Sequence, residues 1–168
     1  EHKAPVPKQA PQPHSIRRSI ARRAAAELRD GAIINFGYGI PDGVAAVIDE
    51  RGERDRYYQS LEHGAYGGTL LYGKQFGFVR NPSAFIDAPS QFDFYSGGGL
   101  DIAFLGFGEI DRVGNVNVSK LGGLTVGPGG FIDIAQNARK MVFVGTFDAK
   151  GAKLNTGDGS LRIETYGA

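Results

Sequence analysis

Glycine constrains this chain more than any other residue type: 26 of its 168 positions are glycine, about twice the usual share. The glycines fall in short clusters, without the fixed period of a fibrous protein or the spread of a flexible linker. Between the clusters lie short apolar runs: Ala32 to Phe36, Tyr57 to Leu61, Asp101 to Gly106, and the Val/Phe-rich Met141 to Thr146. The first run ends in Gly37-Tyr38-Gly39-Ile40-Pro41-Asp42-Gly43, and Pro41 then stands where a helix begins, ahead of apolar Val44, Ala45, Val47 and Ile48. Strand, glycine turn and helix in that order open an α/β unit. The sequence therefore predicts an α/β fold: an open, mainly parallel sheet with flanking helices and added hairpins.

Composition narrows the function classes. Hydrophobic residues are 41% and charged residues 22%, which supports one domain with a real core. Net charge is +1, so nothing global favours nucleic acid or a membrane surface. No run approaches the roughly 18 apolar residues of a membrane span. Without cysteine there is no disulfide, thiolate metal site or catalytic thiol; this agrees with a reducing compartment, and the expected location is cytoplasmic. Residues 1–29 hold seven basic residues against two acids, and Pro5, Pro7, Pro11 and Pro13 crowd the opening. Residues 1–14 read as a Pro-rich linker and 15–168 as the domain, a piece of a longer polypeptide.

Local signals place further elements. Ser15 is positioned to cap a helix running to about Asp30, with Ile16, Ile20, Ala24 and Leu28 on one face and Gly31 as its C-terminal glycine. Its arginine face reads either as a solvated surface or as a site for an anionic partner. Ala84 to Asp87 is a short strand or bend. Asn115 to Ser119 alternates like a strand after the turn Asp111 to Gly114. Phe131 to Ala138 is a candidate helix, and Leu161 to Thr165 a last strand.

Three groups of residues could carry chemistry. Gly37-x-Gly39-x-x-x-Gly43 resembles a phosphate turn but departs from G-x-G-x-x-G by one residue and contains a proline; the alternative is a tight turn that needs glycine. In Ser60-Leu61-Glu62-His63-Gly64 a carboxylate stands at the C-terminal end of a buried strand, where open α/β sheets bind ligands; the alternative is a surface glutamate in a loop. Gly97-Gly98-Gly99, and Gly122-Gly123 with Gly127-Pro128-Gly129-Gly130, either supply unobstructed amide donors for phosphate or an oxyanion or are plain turns. The three histidines have no metal-site spacing, Asp87, Asp93, Asp101 and Asp133 make no dyad, and no Gly-x-Ser-x-Gly is present.

Together these residues resemble a family I coenzyme A transferase, in its β-type (C-terminal) half, and within it the fused acetate/propionate branch. The similarity runs from about Ser15 to the end. Its most specific stretch is Gln91 to Ala138, with Phe92 to Asp101 and Gly114 to Ser119; Ile34 to Pro41 is similar to the family's first strand and turn. The family's nucleophilic glutamate lies in Glu-Asn-Gly or Glu-His-Gly, which Glu62-His63-Gly64 matches. The resemblance implies Glu62 as nucleophile, with Gly129, Gly130, Phe131, Gly97, Gly98, Gly99 and Asn117 binding coenzyme A or the oxyanion. It implies transfer of coenzyme A from an acyl-CoA to a short-chain carboxylate through a glutamyl-CoA thioester. Coenzyme A is then a substrate, and no separate cofactor or metal is expected. An α-type half, fused or separate, and a homo-oligomer are the expected partners. Thr69 to Lys74 departs from the family's pattern beside the acyl pocket. A non-catalytic ligand-binding domain on the same fold and a nucleotide-binding oxidoreductase domain are the alternatives.

Overall fold

A computed structural model describes residue 5 and residues 13–147 and 151–166. Most of the 1–14 linker lies outside the described residues. Helix α1 (Ile16–Ala25) begins as expected: the Ser15 hydroxyl accepts from the Arg18 amide at 3.2 Å. It stops at Ala26 and not near Asp30, and tighter bonds from Glu27 to Ala24 and from Leu28 to Ala25 carry the chain onward. Gly31 does not cap it; with φ +77° it turns the chain into the sheet, and its amide donates to the Arg56 carbonyl. The buried face is also narrower than the isoleucine pattern implied. Ala21, Ala24 and Ala25 are buried while Ile16 is 69% exposed. Small residues win here because α1 approaches α2 (Asp42–Arg51) closely: a Cβ on Gly43 would sit 3.2 Å from that of Ala21.

Six strands form the central sheet: β1 (Ile33–Phe36), β2 (Tyr58–Ser60), β3 (Ala65–Tyr66), β4 (Ala84–Phe85), β5 (Ile102–Leu105) and β6 (Lys140–Phe143). Their spatial order is β6-β5-β1-β2-β3-β4. The first four are parallel; β3 and β4 add on antiparallel. Two-stranded hairpins pair 69–70 with 79–80, 109–110 with 116–117, 120–121 with 124–125, and 153–155 with 162–165. This is an α/β fold with a mainly parallel sheet, flanking helices and added hairpins, as the sequence predicts.

Strand alternation divides the core between two faces. Ile34, Phe36, Ile102 and Phe104 pack with α1 and α2, and the Phe36 and Phe104 rings stack at 5.8 Å. Asn35, Ser60, Ala103 and Leu105 point the other way. There they meet α3 (Ala88–Phe94), the π-helical turn Tyr95–Gly99 that extends it, and α4 (Phe131–Asn137). The sequence reading missed α3, whose start is capped by Asp87 accepting from the Ser90 amide at 3.0 Å. From β1 the chain moves to β2 on one side and to β5 on the other. That reversal creates a crevice beyond the carboxyl ends of β1 and β5, where such sheets bind ligands.

Candidate functional site

Glu62 stands two residues past β2, at the carboxyl end of the parallel sheet. It is half-buried, and its Oε2 accepts from Asn35 Nδ2 at 3.3 Å. Asn35 is fully buried on β1, in register with Ser60 on β2. Its Nδ2 also donates to the Tyr95 hydroxyl at 3.2 Å, and Tyr95 in turn lies 2.8 Å from Ser60 Oγ. Burial, with the Glu62 charge adding to it, pushes the Tyr95 hydroxyl up to about 12. Sequence reasoning met Asn35, Ser60 and Tyr95 only inside longer motifs and gave none of them a role. The available signal was a polar side chain inside the apolar run Ile33 to Phe36, where burial demands a partner.

The loop after Glu62 is held by close contacts. Gly64 has φ +101°, and a Cβ there would fall 1.9 Å from the Ile86 carbonyl oxygen. Its own carbonyl accepts from the Ile86 amide at 3.0 Å, which fastens the Glu62 turn to the segment after β4. His63 Nε2 lies 2.5 Å from the Gly77 carbonyl oxygen. In the segment Thr69 to Lys74, unusual in sequence, Thr69 and Leu70 are buried and the Tyr72 hydroxyl donates to Asp49 Oδ2 at 2.7 Å, while Gly73 and Lys74 are exposed.

The other expected site residues scatter. Gly129 and Gly130 precede α4, on the sheet face that carries Asn35, Ser60 and Tyr95. Gly129 has φ +56° with open space around it. A Cβ on Gly130 would come within 2.7 Å of the Phe92 ring, which packs edge-on against Tyr95. Phe131 stacks on Phe143 at 5.9 Å and is part of the core on that face. Gly97, Gly98 and Gly99 are not a loop beside Glu62. They end the helical segment that returns the chain to the amino edge of the sheet, just ahead of β5. That edge is opposite the end where Glu62 stands, because a crossover between parallel strands must run back across the sheet. The carbonyl of Gly98 (φ +90°) accepts from Arg139 Nη2 at 3.3 Å, and a Cβ on Gly99 would overlap the Phe94 ring. Asn117 is also committed elsewhere: its Nδ2 donates to Glu109 and to the Lys120 carbonyl, and its Oδ1 accepts from the Ser119 and Lys120 amides. Those bonds tie two hairpins together.

The first glycine turn also has a packing reason. A Cβ on Gly37 would meet Leu105 Cδ2 at 3.0 Å and the Phe104 oxygen at 3.1 Å, so β1 can lie against the end of β5 only without one. A cavity of about 450 Å³ opens in the same region, lined among others by Tyr38, Gly106, Gly108, Glu109 and Phe147. Among the described residues, no cluster of three or more side chains could hold a metal ion, and no helix is long and apolar enough to cross a membrane.

No family model matches the chain. Over 155 residues it is 44% identical to the acetate CoA-transferase YdiF of Escherichia coli O157:H7, covering 92% of this chain and 29% of that protein. Against the acetate CoA-transferase subunit beta of Escherichia coli K12 it is 31% identical over 151 residues, covering 86% of this chain and 67% of that subunit. The crystal structure of YdiF from Escherichia coli O157:H7 as a thioester complex with CoA superposes with a TM-score of 0.76 at 42% identity, over 95% of this chain and 30% of that one. The chain thus spans less than a third of YdiF's length.

Proposed function

This chain belongs to the family I coenzyme A transferases, as their β-type half, and from that we propose that it transfers coenzyme A between an acyl-CoA and a free short-chain carboxylate, with Glu62 as nucleophile. One observation carries the assignment of Glu62: its carboxylate stands in a Glu-His-Gly turn at the carboxyl end of β2, half-buried and fastened to a buried amide. A nucleophile must meet its substrate yet hold one rotamer, and this placement serves both needs.

In the proposed reaction a Glu62 oxygen attacks the thioester carbonyl. The carbon–sulfur bond breaks, the coenzyme A thiolate leaves, and an acyl-glutamyl anhydride remains. The thiolate then attacks the glutamyl carbonyl carbon and expels the acyl group as a free carboxylate. The acceptor carboxylate reverses both steps. Charge is conserved throughout, and no proton or electron is gained or lost. Each tetrahedral intermediate needs hydrogen-bond donors at its oxygen. Gly129 and Gly130 suit that role by resemblance and by sharing a sheet face with Asn35. Gly97–Gly99 and the Asn117 side chain form no part of this proposal, because their places in the fold give them other work.

We take residues 15–168 as the unit that carries this chemistry, in the cytoplasm and within a homo-oligomer. An α-type half completes the site; a β subunit among the relatives supports that division. The test is the mass of the protein, assembled with an α-type half, after acetyl-CoA and borohydride. Reduction of a glutamyl thioester marks Glu62, and a mark elsewhere, or none, refutes the assignment.

A further inference from the structure

Beneath Glu62 lies a chain of fully buried polar side chains whose direction follows from counting protons. Ser60 has one hydroxyl proton, and it donates this to the Ile34 carbonyl at 2.8 Å. The 2.8 Å contact between Tyr95 and Ser60 must then be a donation from the phenol to Ser60 Oγ. With its proton committed, the Tyr95 oxygen accepts, and it receives Asn35 Nδ2 at 3.2 Å. The second Nδ2 proton goes to Glu62 Oε2 at 3.3 Å. From Asn35 one line of donation runs through Tyr95 and Ser60 to the Ile34 carbonyl, and the other ends on Glu62.

We propose that Tyr95 is a positioning residue for the Glu62 nucleophile: committing its proton to Ser60 leaves an acceptor that holds the Asn35 amide with its N–H, and not its carbonyl, toward the Glu62 carboxylate. This rests on the reading of Glu62 given above. An asparagine amide has two ends of similar shape, and only its hydrogen-bond partners decide which faces where. A carbonyl turned toward Glu62 would repel the carboxylate. Among the described residues the Asn35 amide oxygen has no hydrogen-bond partner, so that end does not anchor the side chain; the anchor is Tyr95.

Two further observations support the assignment. Tyr95 is fully buried among Phe92, Leu100, Ala103 and Leu105, with the buried Gln91 amide also beside its hydroxyl, and phenylalanine would fill the same apolar space. Its hydroxyl, pushed up to about 12 mainly by burial, stays protonated at neutral pH and so remains a donor to Ser60. The oriented N–H serves twice. It fixes the carboxylate rotamer before attack. With Oε1 as the attacking atom, it also points to Oε2, the oxygen that gains charge when thiolate adds to the glutamyl carbon, before collapse expels the acyl carboxylate.

The experiment measures single-turnover formation of the glutamyl-CoA adduct from acetyl-CoA, by mass after borohydride, on this chain assembled with an α-type half. Tyr95→Phe is expected to slow adduct formation roughly 10- to 100-fold, the scale set by small misplacement of a reacting group. The acetyl-CoA concentration giving half the maximal rate should stay unchanged. Ser60→Ala is the second variant, smaller in its effect on packing; it frees the phenol proton to turn toward Asn35 and should slow the same step. If Tyr95→Phe does not fold, Ser60→Ala decides. Adduct forming on Glu62 at the unsubstituted rate in the folded variants overturns the role of Tyr95 while leaving the nucleophile in place. A loss expressed only as weaker saturation by acetyl-CoA overturns it too. Absence of adduct on Glu62 in the unsubstituted enzyme removes the nucleophile and this inference together.

Discussion

At the scale of single residues, glycines that look alike in sequence do different work. Gly64 combines φ +101° with a backbone oxygen where its Cβ would stand. Gly64→Ala should therefore cost about 2–4 kcal/mol, combining backbone strain and overpacking, and urea unfolding would register it. Gly129 has a left-handed φ but open surroundings, so Gly129→Ala should cost about 1–2 kcal/mol from strain alone. Gly130 has an ordinary φ of −75°, and its substitution presses on Phe92, so Gly130→Val should perturb packing at Tyr95 as well as any ligand contact. Coenzyme A exchange compared with unfolding for these variants separates ligand space from fold. At Glu62 the expectation is simpler. Glu62→Ala should abolish the covalent adduct yet fold normally, because a half-buried carboxylate on a surface turn carries little of the core. Glu62→Asp withdraws the carboxylate by one methylene, away from Asn35, and should lose roughly 100-fold in exchange rate. An adduct that persists in Glu62→Ala would exclude this residue.

At the scale of elements, polar contacts pin the helices to the sheet. Glu27, just past α1, pairs with Lys140 at the start of β6 and with Arg23 in the last turn of α1. The Lys140 bond, followed by that of Arg23, holds the Glu27 carboxyl at about 2, against 4.5 ordinarily. The folded-state value is depressed, so the contribution is complete above about pH 4.5 and fades as pH falls toward 2. Glu27→Gln should flatten that part of a plot of melting temperature against pH; an unchanged acid limb would mean the pair contributes nothing. Tyr72 pins the segment after β3 to α2 by donating to Asp49, which also binds Arg54. Tyr72→Phe should cost about 1.5–3 kcal/mol in urea unfolding, the range for a hydrogen bond to a charged group. That anchoring gives Thr69 to Lys74 a structural purpose that its sequence did not reveal.

At the scale of the whole molecule, the carboxyl end of the sheet presents the proposed nucleophile on an open surface. Phe78, Phe85 and Phe147 are each more than half exposed, as is Tyr58 at the amino edge of the sheet. Ligand sites of this kind gain their enclosure where two rigid units meet. We predict negligible transfer from acetyl-CoA to a carboxylate by residues 1–168 alone, and recovery of activity when an α-type half is supplied in fusion or in trans. Losing even one oxyanion donor costs about 100- to 1,000-fold, and loss of a wall should cost more. Full turnover by the isolated monomer would refute the half-enzyme reading.

Much of this architecture was legible in the sequence because its signals are local. Alternation and apolar runs located β1, β2 and β5 to within a residue, and β6 with its end three residues too late, at Thr146 where the strand stops at Phe143. Glu62 could be placed at a strand's carboxyl end from Ser60-Leu61-Glu62-His63-Gly64 alone. The limits appear where short-range pattern ceases to decide. α1 gives way after Ala25 to tighter bonds from Glu27 to Ala24 and from Leu28 to Ala25, and close packing of Ala21 against Gly43 favours alanine over the isoleucines on the buried face. Gly97–Gly99 read as a site loop, yet the return crossover carries them to the far edge of the sheet. Asn35, Ser60 and Tyr95 are 60 positions apart from first to last, and nothing local links them. Their meeting beneath Glu62 was decided only when β1 and β2 came into register and α3 closed over that face, since which buried donors and acceptors find one another is a property of packing.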